Sequence, residues 1–146
     1  MRFMKYVGEI WRCAGLYRAV QYEDLGIGCF QDQYLAKICE SPGIAQEEIA
    51  ADLFVNKSNV ARQVASLEEK GFVERRPDAQ DKRILRVYPT EKALSVLEQV
   101  RRIRRTWTEQ LLAEMGEEER EAVSEMMERL AERAKELARE WEGEER

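Results

Sequence analysis

A polar face on one short predicted helix carries the side chains best suited to a chemical task. It combines amide, hydroxyl and cationic groups: Asn56, Lys57, Ser58, Asn59, Arg62 and Gln63. Arginine can contact guanine through two hydrogen bonds, asparagine or glutamine can contact adenine, and lysine or serine can contact phosphate. The face therefore predicts recognition of double-stranded DNA, although on an isolated helix a solvated polar surface is the usual alternative.

The residue types that support most enzymatic chemistry are missing or scattered. The sequence contains no histidine, which removes the commonest general base near neutral pH and the commonest transition-metal ligand. Its three cysteines, Cys13, Cys29 and Cys39, form no CxxC pair, so neither a disulfide framework nor a zinc site is indicated. We expect a protein that is not an enzyme and that needs no metal or other cofactor.

Charge is distributed unevenly along the chain. The whole sequence has a formal net charge of −5, which argues against binding to phosphates. From Phe54 to Tyr88, however, there are eight basic and five acidic residues, whereas residues 117–146 hold twelve acidic and six basic ones. The middle of the chain is therefore the part that suits DNA, and the acidic end suits a surface turned away from it.

Two short helices and a tight turn are predicted around the polar face. The first helix covers Gln46–Leu53, and Phe54-Val55 forms the turn before Asn56, whose side chain can cap the next helix. That helix covers Lys57–Lys70 and ends at Gly71, a residue suited to a left-handed cap. Together they predict a helix-turn-helix whose second helix, the recognition helix, enters the major groove.

A charged hairpin is predicted after the recognition helix. Residues 72–88 contain two runs in which apolar and charged side chains alternate, as they do in half-exposed strands. The turn region between them carries Arg76, Lys82 and Arg83, which have the reach and charge to touch a narrow minor groove. Asp81 is placed to orient Arg83 through a carboxylate-guanidinium pair.

Amphipathic helices flank this module on both sides. Apolar residues recur at spacings of three and four over residues 3–22 and 31–40, and again after Thr90. The last helix, beyond Gly116, has an apolar seam for which the compact head offers no partner. We therefore expect this seam to pack against the first helix and the equivalent helices of a second copy of the chain.

These elements predict a mainly α fold with a small β-hairpin wing. Residues 30–89 would form the winged helix-turn-helix DNA-binding domain, and residues 1–22 with 90–146 a helical dimerisation region intertwined with it. A twofold dimer places its recognition helices in successive major grooves. The expected partners are a second copy of the chain and a pseudo-palindromic operator with half-sites about 10 base pairs apart.

Several runs in the middle of the chain resemble the MarR family of transcriptional regulators. The most specific are the run from Leu67 to Arg75 and the wing segment Asp81-Lys82-Arg83, and the similarity covers the whole chain in helix order. Ala45 departs from the pattern, because many members have a threonine cap there. The resemblance implies a homodimeric regulator, and most often a repressor. It also implies a recognition helix that begins near Asn56 and a wing with Arg83 at its tip.

The resemblance also implies a pocket for a small aromatic or anionic effector between the winged domain and the dimer helices. Aromatic residues on the first two helices could line it, although aromatics at helical spacing are also typical of a core. The candidates are Trp11, Tyr17, Tyr22, Phe30 and Tyr34.

Two other functions stay open on the sequence alone. Cys13 raises the possibility of a thiol-based redox-sensing repressor, because thiol-sensing members of the family also carry a cysteine in their first helix, but a buried, inert thiol is the favoured expectation. A winged helix can also serve as a protein-interaction module without DNA binding.

The N-terminus predicts no secretion. Met1 to Lys5 is interrupted by charge, and no run of about 18 apolar residues follows. We expect a cytoplasmic protein that has no membrane partner.

Overall fold

The computed structural model describes residues 1–144, which form six helices and three short strands. The helices are α1 (Phe3–Gln21), α2 (Asp32–Glu40), α3 (Gln46–Leu53), α4 (Lys57–Glu69), α5 (Glu91–Leu111) and α6 (Glu117–Glu144). The strands are β1 (Ile44–Ala45), β2 (Val73–Pro77) and β3 (Leu85–Pro89), and a 3-10 turn covers Glu23–Leu25. The chain divides into two compact units, Met1–Trp107 and the described part of Thr108–Arg146.

The core of the first unit is built around one stripe of α4. Val60, Val64 and Leu67 are fully buried in the main hydrophobic cluster, and their spacing places them on one side of the helix. Burial of a side chain of this kind stabilises the fold by roughly 1.5–3 kcal/mol. Because this stripe belongs to the core, the polar residues on the other side of α4 are left at or near the surface.

A three-stranded antiparallel sheet, in the order β1-β3-β2, completes this unit. β2 and β3 form the wing hairpin, with Val73 opposite Pro89. β1 pairs with the other edge of β3, with Ile44 opposite Val87. Val73 and Val87 are buried, so the hairpin is anchored to the core at its base and extends from there into solvent.

The start of α5 holds the C-terminal end of α4. Gly71 has a φ of +82°, a left-handed conformation that glycine adopts without steric cost. The Thr90 hydroxyl donates to the Gly71 carbonyl at 2.7 Å, and Lys92 Nζ donates to the Lys70 carbonyl at 2.7 Å. These bonds satisfy acceptors around a helix end that lack donors within the helix. Polar contacts therefore fix the position of α4 in addition to its buried stripe.

Asp78 organises the turn between β2 and β3. Its carboxylate accepts hydrogen bonds from the Arg86 guanidinium and from the backbone N–H groups of Gln80 and Asp81. Arg86 also donates to the Gly43 carbonyl at 3.0 Å, which ties the wing to the segment before β1. The Arg86 guanidinium, followed by the two backbone N–H groups, lowers the pKa of Asp78 to about 2. The turn is therefore held around a charged carboxylate.

Two helices expose apolar side chains along much of their length. On α1, Phe3, Ile10 and Trp11 are between 40% and 52% exposed. Contiguous exposed apolar surface commonly marks a site for another molecule. In the second unit, α6 has its own exposed apolar residues, namely Met126, Met127, Leu130 and Trp141.

The predicted order of helices, the wing hairpin and the mainly α fold are confirmed. The bounds of α3 agree with the prediction, and those of α2 and α4 differ from it by one residue. β1 and the 3-10 turn were not predicted, because elements of two and three residues are too short to show a periodicity. The last two residues of the predicted dimerisation region, 145–146, lie outside the described residues. Within residues 1–144, no helix is both long and apolar enough to cross a membrane.

Acid should loosen the wing. The folded pKa of Asp78 lies below its ordinary value of 3.8, so the ionised carboxylate stabilises the wing above about pH 4, and this contribution is lost as the pH falls toward 2. Asp78→Asn should loosen the same turn at neutral pH. Amide hydrogen exchange of residues 78–86, measured by NMR, checks both effects, with Glu74→Gln on the same hairpin as the control. Unaltered exchange in Asp78→Asn would contradict the assigned role.

Candidate nucleic-acid interface

Asn56 caps the N-terminus of α4. Its Oδ1 accepts hydrogen bonds from the Asn59 backbone N–H at 2.7 Å and from the Ser58 hydroxyl at 2.9 Å. In the preceding turn, Phe54 has a φ of 55°, the left-handed conformation that turns the chain between α3 and α4. Lys57 and Ser58 are exposed at the end of the helix where the dipole stabilises an anion.

Cationic side chains of α4 remain accessible to a ligand. Lys57 is 76% exposed, and its Nζ lies 3.4 Å from a carboxylate oxygen of Glu47. An ion pair between two exposed side chains contributes little stability, so a phosphate could replace Glu47 at small cost. Arg62, one turn further along the helix, is also exposed.

Asn59 and Gln63 lie where α4 meets α2, and each amide has a partner there. The Tyr34 hydroxyl donates to Asn59 Oδ1 at 3.2 Å. Gln31 Nε2 donates to Gln63 Oε1 at 3.1 Å and to the Ser66 hydroxyl at 3.0 Å. The prediction did not include Gln31, which is only 6% exposed and has no sequence signal beyond its position at the start of α2.

Arg83 lies at the tip of the wing and its side chain is 91% exposed. Asp81 accepts hydrogen bonds from Arg83 Nε and Nη2, each at 3.0 Å, the two-pronged geometry that orients a guanidinium. The Arg83 guanidinium lowers the pKa of Asp81. Lys82, between them, is exposed as well. The tip therefore presents two cations, one of which is held in a defined direction.

Arg76 occupies a different place from the other two wing cations. It lies on β2 rather than in the turn, and its guanidinium is 4.5 Å from the centre of the Tyr88 ring. Its Nη2 also donates to Glu74 at 2.8 Å. Arg76 is therefore engaged within the body of the hairpin.

A cleft of about 360 Å³ lies between the start of α3, α4 and the wing. It places Lys57 and Ser58 from α4 and Arg83 from the turn of the wing around one space, although Ser58 and Arg83 are 25 positions apart in sequence. The cleft is lined by Ala45, Gln46, Glu47, Lys57, Ser58, Ala61, Arg83, Ile84 and Leu85.

Glu68 and Arg75 tie β2 to α4. Glu68 accepts hydrogen bonds from the Arg75 backbone N–H at 2.7 Å and from its Nη2 at 3.0 Å. The backbone hydrogen bond, followed by the guanidinium, lowers the pKa of Glu68. Both residues belong to the run from Leu67 to Arg75 that carries the family resemblance. Their pairing was not predicted, because it spans a helix end and matches no regular spacing.

Two of the aromatic residues predicted for an effector pocket belong to the core. Tyr22 and Tyr34 are 0% and 2% exposed. The Tyr22 hydroxyl donates to Asp32 Oδ2 at 2.8 Å, and burial, followed by the nearby Asp32 charge, raises the pKa of Tyr22. A ligand could reach these rings only after other side chains had moved.

The other three aromatic residues lie nearer the surface. The ring centres of Trp11 and Phe30 are 5.8 Å apart, and both residues are about half exposed. Tyr17 packs against Trp107, with 5.1 Å between ring centres.

Arg18 lies beside the Trp11 and Phe30 rings and is only 7% exposed. Its Nε donates to the Cys29 carbonyl at 3.0 Å and lies 3.8 Å from Asp32 Oδ2. Its Nη2 is buried and has no hydrogen-bond partner within residues 1–144. Buried polar groups are normally hydrogen-bonded, so this N–H group is an unused donor next to two aromatic faces.

Cys13 is exposed on α1. The expectation of a buried thiol at this position is therefore wrong for the single chain. Burial instead affects Cys39, whose pKa it raises. Residues 1–144 contain no group of three or more His, Cys, Asp or Glu side chains arranged to hold a metal.

Comparison with known proteins places this geometry in a family. A family model described as MarR matches residues 31–85. The chain is 34% identical over 139 residues to YybA of Bacillus subtilis strain 168, an uncharacterised HTH-type transcriptional regulator, and the match covers 95% of this chain and 91% of that protein.

Solved structures share the fold. The crystal structure of the transcriptional regulator SlyA matches with a TM-score of 0.85 at 31% identity, covering 97% of this chain and 98% of that one. A MarR family regulator from Listeria monocytogenes, crystallised with a 26mer DNA, matches with a TM-score of 0.83 at 21% identity, covering 92% and 90%. On the identity and coverage of the Bacillus relative and the match over residues 31–85, this chain belongs to the MarR family of transcriptional regulators.

Proposed function

We propose that this protein is a dimeric, cytoplasmic, sequence-specific DNA-binding repressor that a small molecule releases from its operator. The observation that carries the proposal is the cleft in which α4 and the wing place Lys57, Ser58 and Arg83 around one space. A recognition helix and an adjacent wing in this arrangement can contact a major groove and the neighbouring minor groove together.

The pairing of acidic residues supports this use of the surface. Asp78, in the turn of the wing, is bound to Arg86, and Glu68, on α4, is bound to Arg75 on β2. These two acids are thus neutralised by local partners. Lys57 and Arg83 are also paired, with Glu47 and Asp81, but their side chains stay largely exposed and accessible to a ligand. The fold similarity to the Listeria regulator crystallised with DNA agrees with this reading.

The exposed apolar side chains of α1 and α6 support a homodimer. Each helix leaves large apolar groups uncovered in the single chain, such as Trp11 on α1 and Trp141 on α6. Removing such surface from water is favourable by about 25 cal/mol per Å², and a twofold interface uses the same patch on both subunits. A twofold dimer also explains how two recognition helices would reach successive half-sites.

Arg18 supports an anionic, aromatic effector. Its buried Nη2 lacks an acceptor within residues 1–144, and a carboxylate is the group that best matches a guanidinium. Trp11 and Phe30 lie over the same guanidinium and are half exposed. A flat carboxylate that displaced one ring would gain both an apolar contact and the unused donor.

The exposure of Cys13 favours a second candidate signal. A peroxide can oxidise an exposed thiol to a sulfenic acid. Cys13 is exposed in the single chain, and because α1 is also a helix proposed for the dimer interface, this alternative requires the thiol to stay accessible in the dimer. Oxidation there would add a polar group to an apolar contact. In this alternative the same DNA-binding surface is released by an oxidant rather than by a ligand.

Equilibrium sedimentation should give about twice the chain mass of 17.1 kDa. Trp141→Glu, which places a charge on the exposed apolar side of α6, should shift the equilibrium toward the monomer, because burial of an unpaired charge is unfavourable. Glu142→Gln, at the adjacent position, is the control. A monomer at micromolar concentration in the unmodified chain would contradict the dimer.

Arg62→Ala and Arg83→Ala should each weaken binding to a selected operator by about 1–3 kcal/mol. A changed base preference is expected where the arginine reads a base, and an even loss across sequences where it contacts phosphate. Arg102→Ala, an exposed arginine on α5, is the matched control. Fluorescence anisotropy on duplex DNA, repeated over a range of salt concentrations, measures these effects.

Two outcomes would overturn the assigned surface. Binding that both substitutions leave unaltered would exclude it as the DNA contact. Failure of the unmodified chain to bind any duplex at low salt would favour the protein-interaction module, because contacts with phosphates are strongest at low salt.

Release of the operator should distinguish the two signals. Aromatic carboxylates such as benzoate derivatives should release DNA from the unmodified chain, and Arg18→Lys should respond much more weakly, because lysine keeps the charge but lacks the planar fork. Arg12→Lys on the same helix is the control. If peroxide releases DNA instead and Cys13→Ser abolishes that response, the redox alternative is correct.

A further inference from the structure

The amide of Gln31 can adopt only one orientation. Its Oε1 accepts from Lys70 Nζ at 2.9 Å and from the Gly28 backbone N–H at 2.9 Å. An ammonium group and a backbone N–H can donate but cannot accept. The oxygen of Gln31 must therefore face these two groups, and its Nε2 must face α4.

This orientation determines that of Gln63. Gln31 Nε2 donates to Gln63 Oε1 at 3.1 Å and to the Ser66 hydroxyl at 3.0 Å. Because an amide NH2 has no acceptor capacity, Gln63 must offer its oxygen toward Gln31. The Nε2 of Gln63, with two N–H donors, is then the end of the amide directed away from α2. Gln63 is half-buried on α4, next to the exposed Arg62.

Burial makes this arrangement of hydrogen-bond donors and acceptors difficult to reverse. Gln31 is 6% exposed, so water cannot readily replace a lost partner. Turning the Gln63 amide over would set two NH2 groups against each other and leave buried donors unsatisfied, an arrangement that costs about 1–3 kcal/mol per group.

We propose that Gln31 is a positioning residue that directs the NH2 group of Gln63, rather than its oxygen, toward the DNA. The proposal rests on the DNA-binding function proposed above. A glutamine that contacts adenine through two hydrogen bonds must offer its oxygen to N6 and its NH2 to N7. With its oxygen turned toward Gln31, which occupies one of its two lone pairs, Gln63 is poorly placed for this paired contact. It instead favours a base edge at which the NH2 group meets acceptors only, guanine O6 and N7 or thymine O4, over adenine, whose N7 acceptor lies beside the N6 donor.

The amide of Asn59, unlike that of Gln63, has a partner that does not fix its orientation. The partner of its Oδ1 is the Tyr34 hydroxyl, at 3.2 Å. A hydroxyl can donate or accept, so Tyr34 can accommodate either orientation of the Asn59 amide. Asn59 therefore remains able to contact adenine.

Gln31→Glu tests the proposal by reversing the order of donors and acceptors. The carboxylate still accepts from Lys70 and Gly28, but its other oxygen now faces Gln63 and can only accept. Gln63 should turn over, donate inward and present its oxygen to the groove. The preferred base at one position in each half-site should then change from guanine or thymine to a base that offers a donor, adenine N6 or cytosine N4.

Operator selection from randomised duplexes, using the full chain and each variant, measures the change. Gln63→Ala identifies the affected position, because its selection should lose base preference there and keep it elsewhere. The relative affinity for the two base pairs at that position should change on the order of tenfold between the unmodified chain and Gln31→Glu. Gln33→Glu, which adds the same charge to the same helix, is the matched control and should select the unmodified operator.

The outcomes separate this proposal from the function on which it rests. If the unmodified chain selects no DNA sequence, the proposed function fails and this inference fails with it. If it selects an operator but Gln31→Glu and the unmodified chain prefer the same base at every position, only the positioning role of Gln31 is wrong. If Gln31→Glu does not fold, Gln63→Ala decides: adenine as the unmodified preference at the position it identifies, or no position affected, overturns the proposal.

Discussion

The placement of α4 is the constraint on which the rest of this structure depends. Its stripe of Val60, Val64 and Leu67 lies at zero exposure in the core, and this fixes the rotation of the helix about its axis. Thr90 and Lys92 then hold acceptors around its C-terminal end. Because rotation and end position are both set by contacts that α4 cannot easily break, the polar residues on its other side have defined directions before any DNA arrives. Such preorganisation lowers the entropic cost of binding.

The ion pairs of the wing serve orientation more than stability. Exposed pairs contribute roughly 0–1 kcal/mol each, so the Asp81–Arg83 pair, with an arginine 91% exposed, does little to hold the fold. What it does is restrict a long side chain at the tip. The pairing of Asp78 with Arg86 is different, because Asp78 also binds two backbone N–H groups and Arg86 reaches Gly43. The Asp78–Arg86 pair shapes the turn, and the Asp81–Arg83 pair directs the side chain at its tip.

Periodicity and capping residues were sufficient to predict the helices, the hairpin and the exposed cations, because these features depend on neighbours a few positions away. Asn56 is an example, since its cap is made to Asn59, three residues on. The contacts of Gln31 with Gln63, Ser66 and Lys70 join residues 32–39 positions apart, and no local pattern marks them. At Ala45 the local residue type is a poor guide in the other direction, because Ala45 lacks the side-chain acceptor of a threonine cap and α3 still begins at the next residue. The Ala45 N–H donates to Glu48 at 3.3 Å, and the core supplies the remaining stabilisation.

The proposed effector site and the recognition helix are joined by one short segment. Arg18 binds the Cys29 carbonyl, Phe30 lies near the Arg18 guanidinium, and Gln31 binds α4. A ligand that displaced Phe30 would act on the residue next to Gln31. Coupling between distant sites requires an element with two arrangements that both sites influence, and residues 28–31 touch both. Since the Gly28 N–H also binds Gln31 Oε1, movement of this segment would remove one of the two donors that orient the amide. In this protein the same four residues would therefore orient the Gln63 amide on the recognition helix and receive the signal from the effector site.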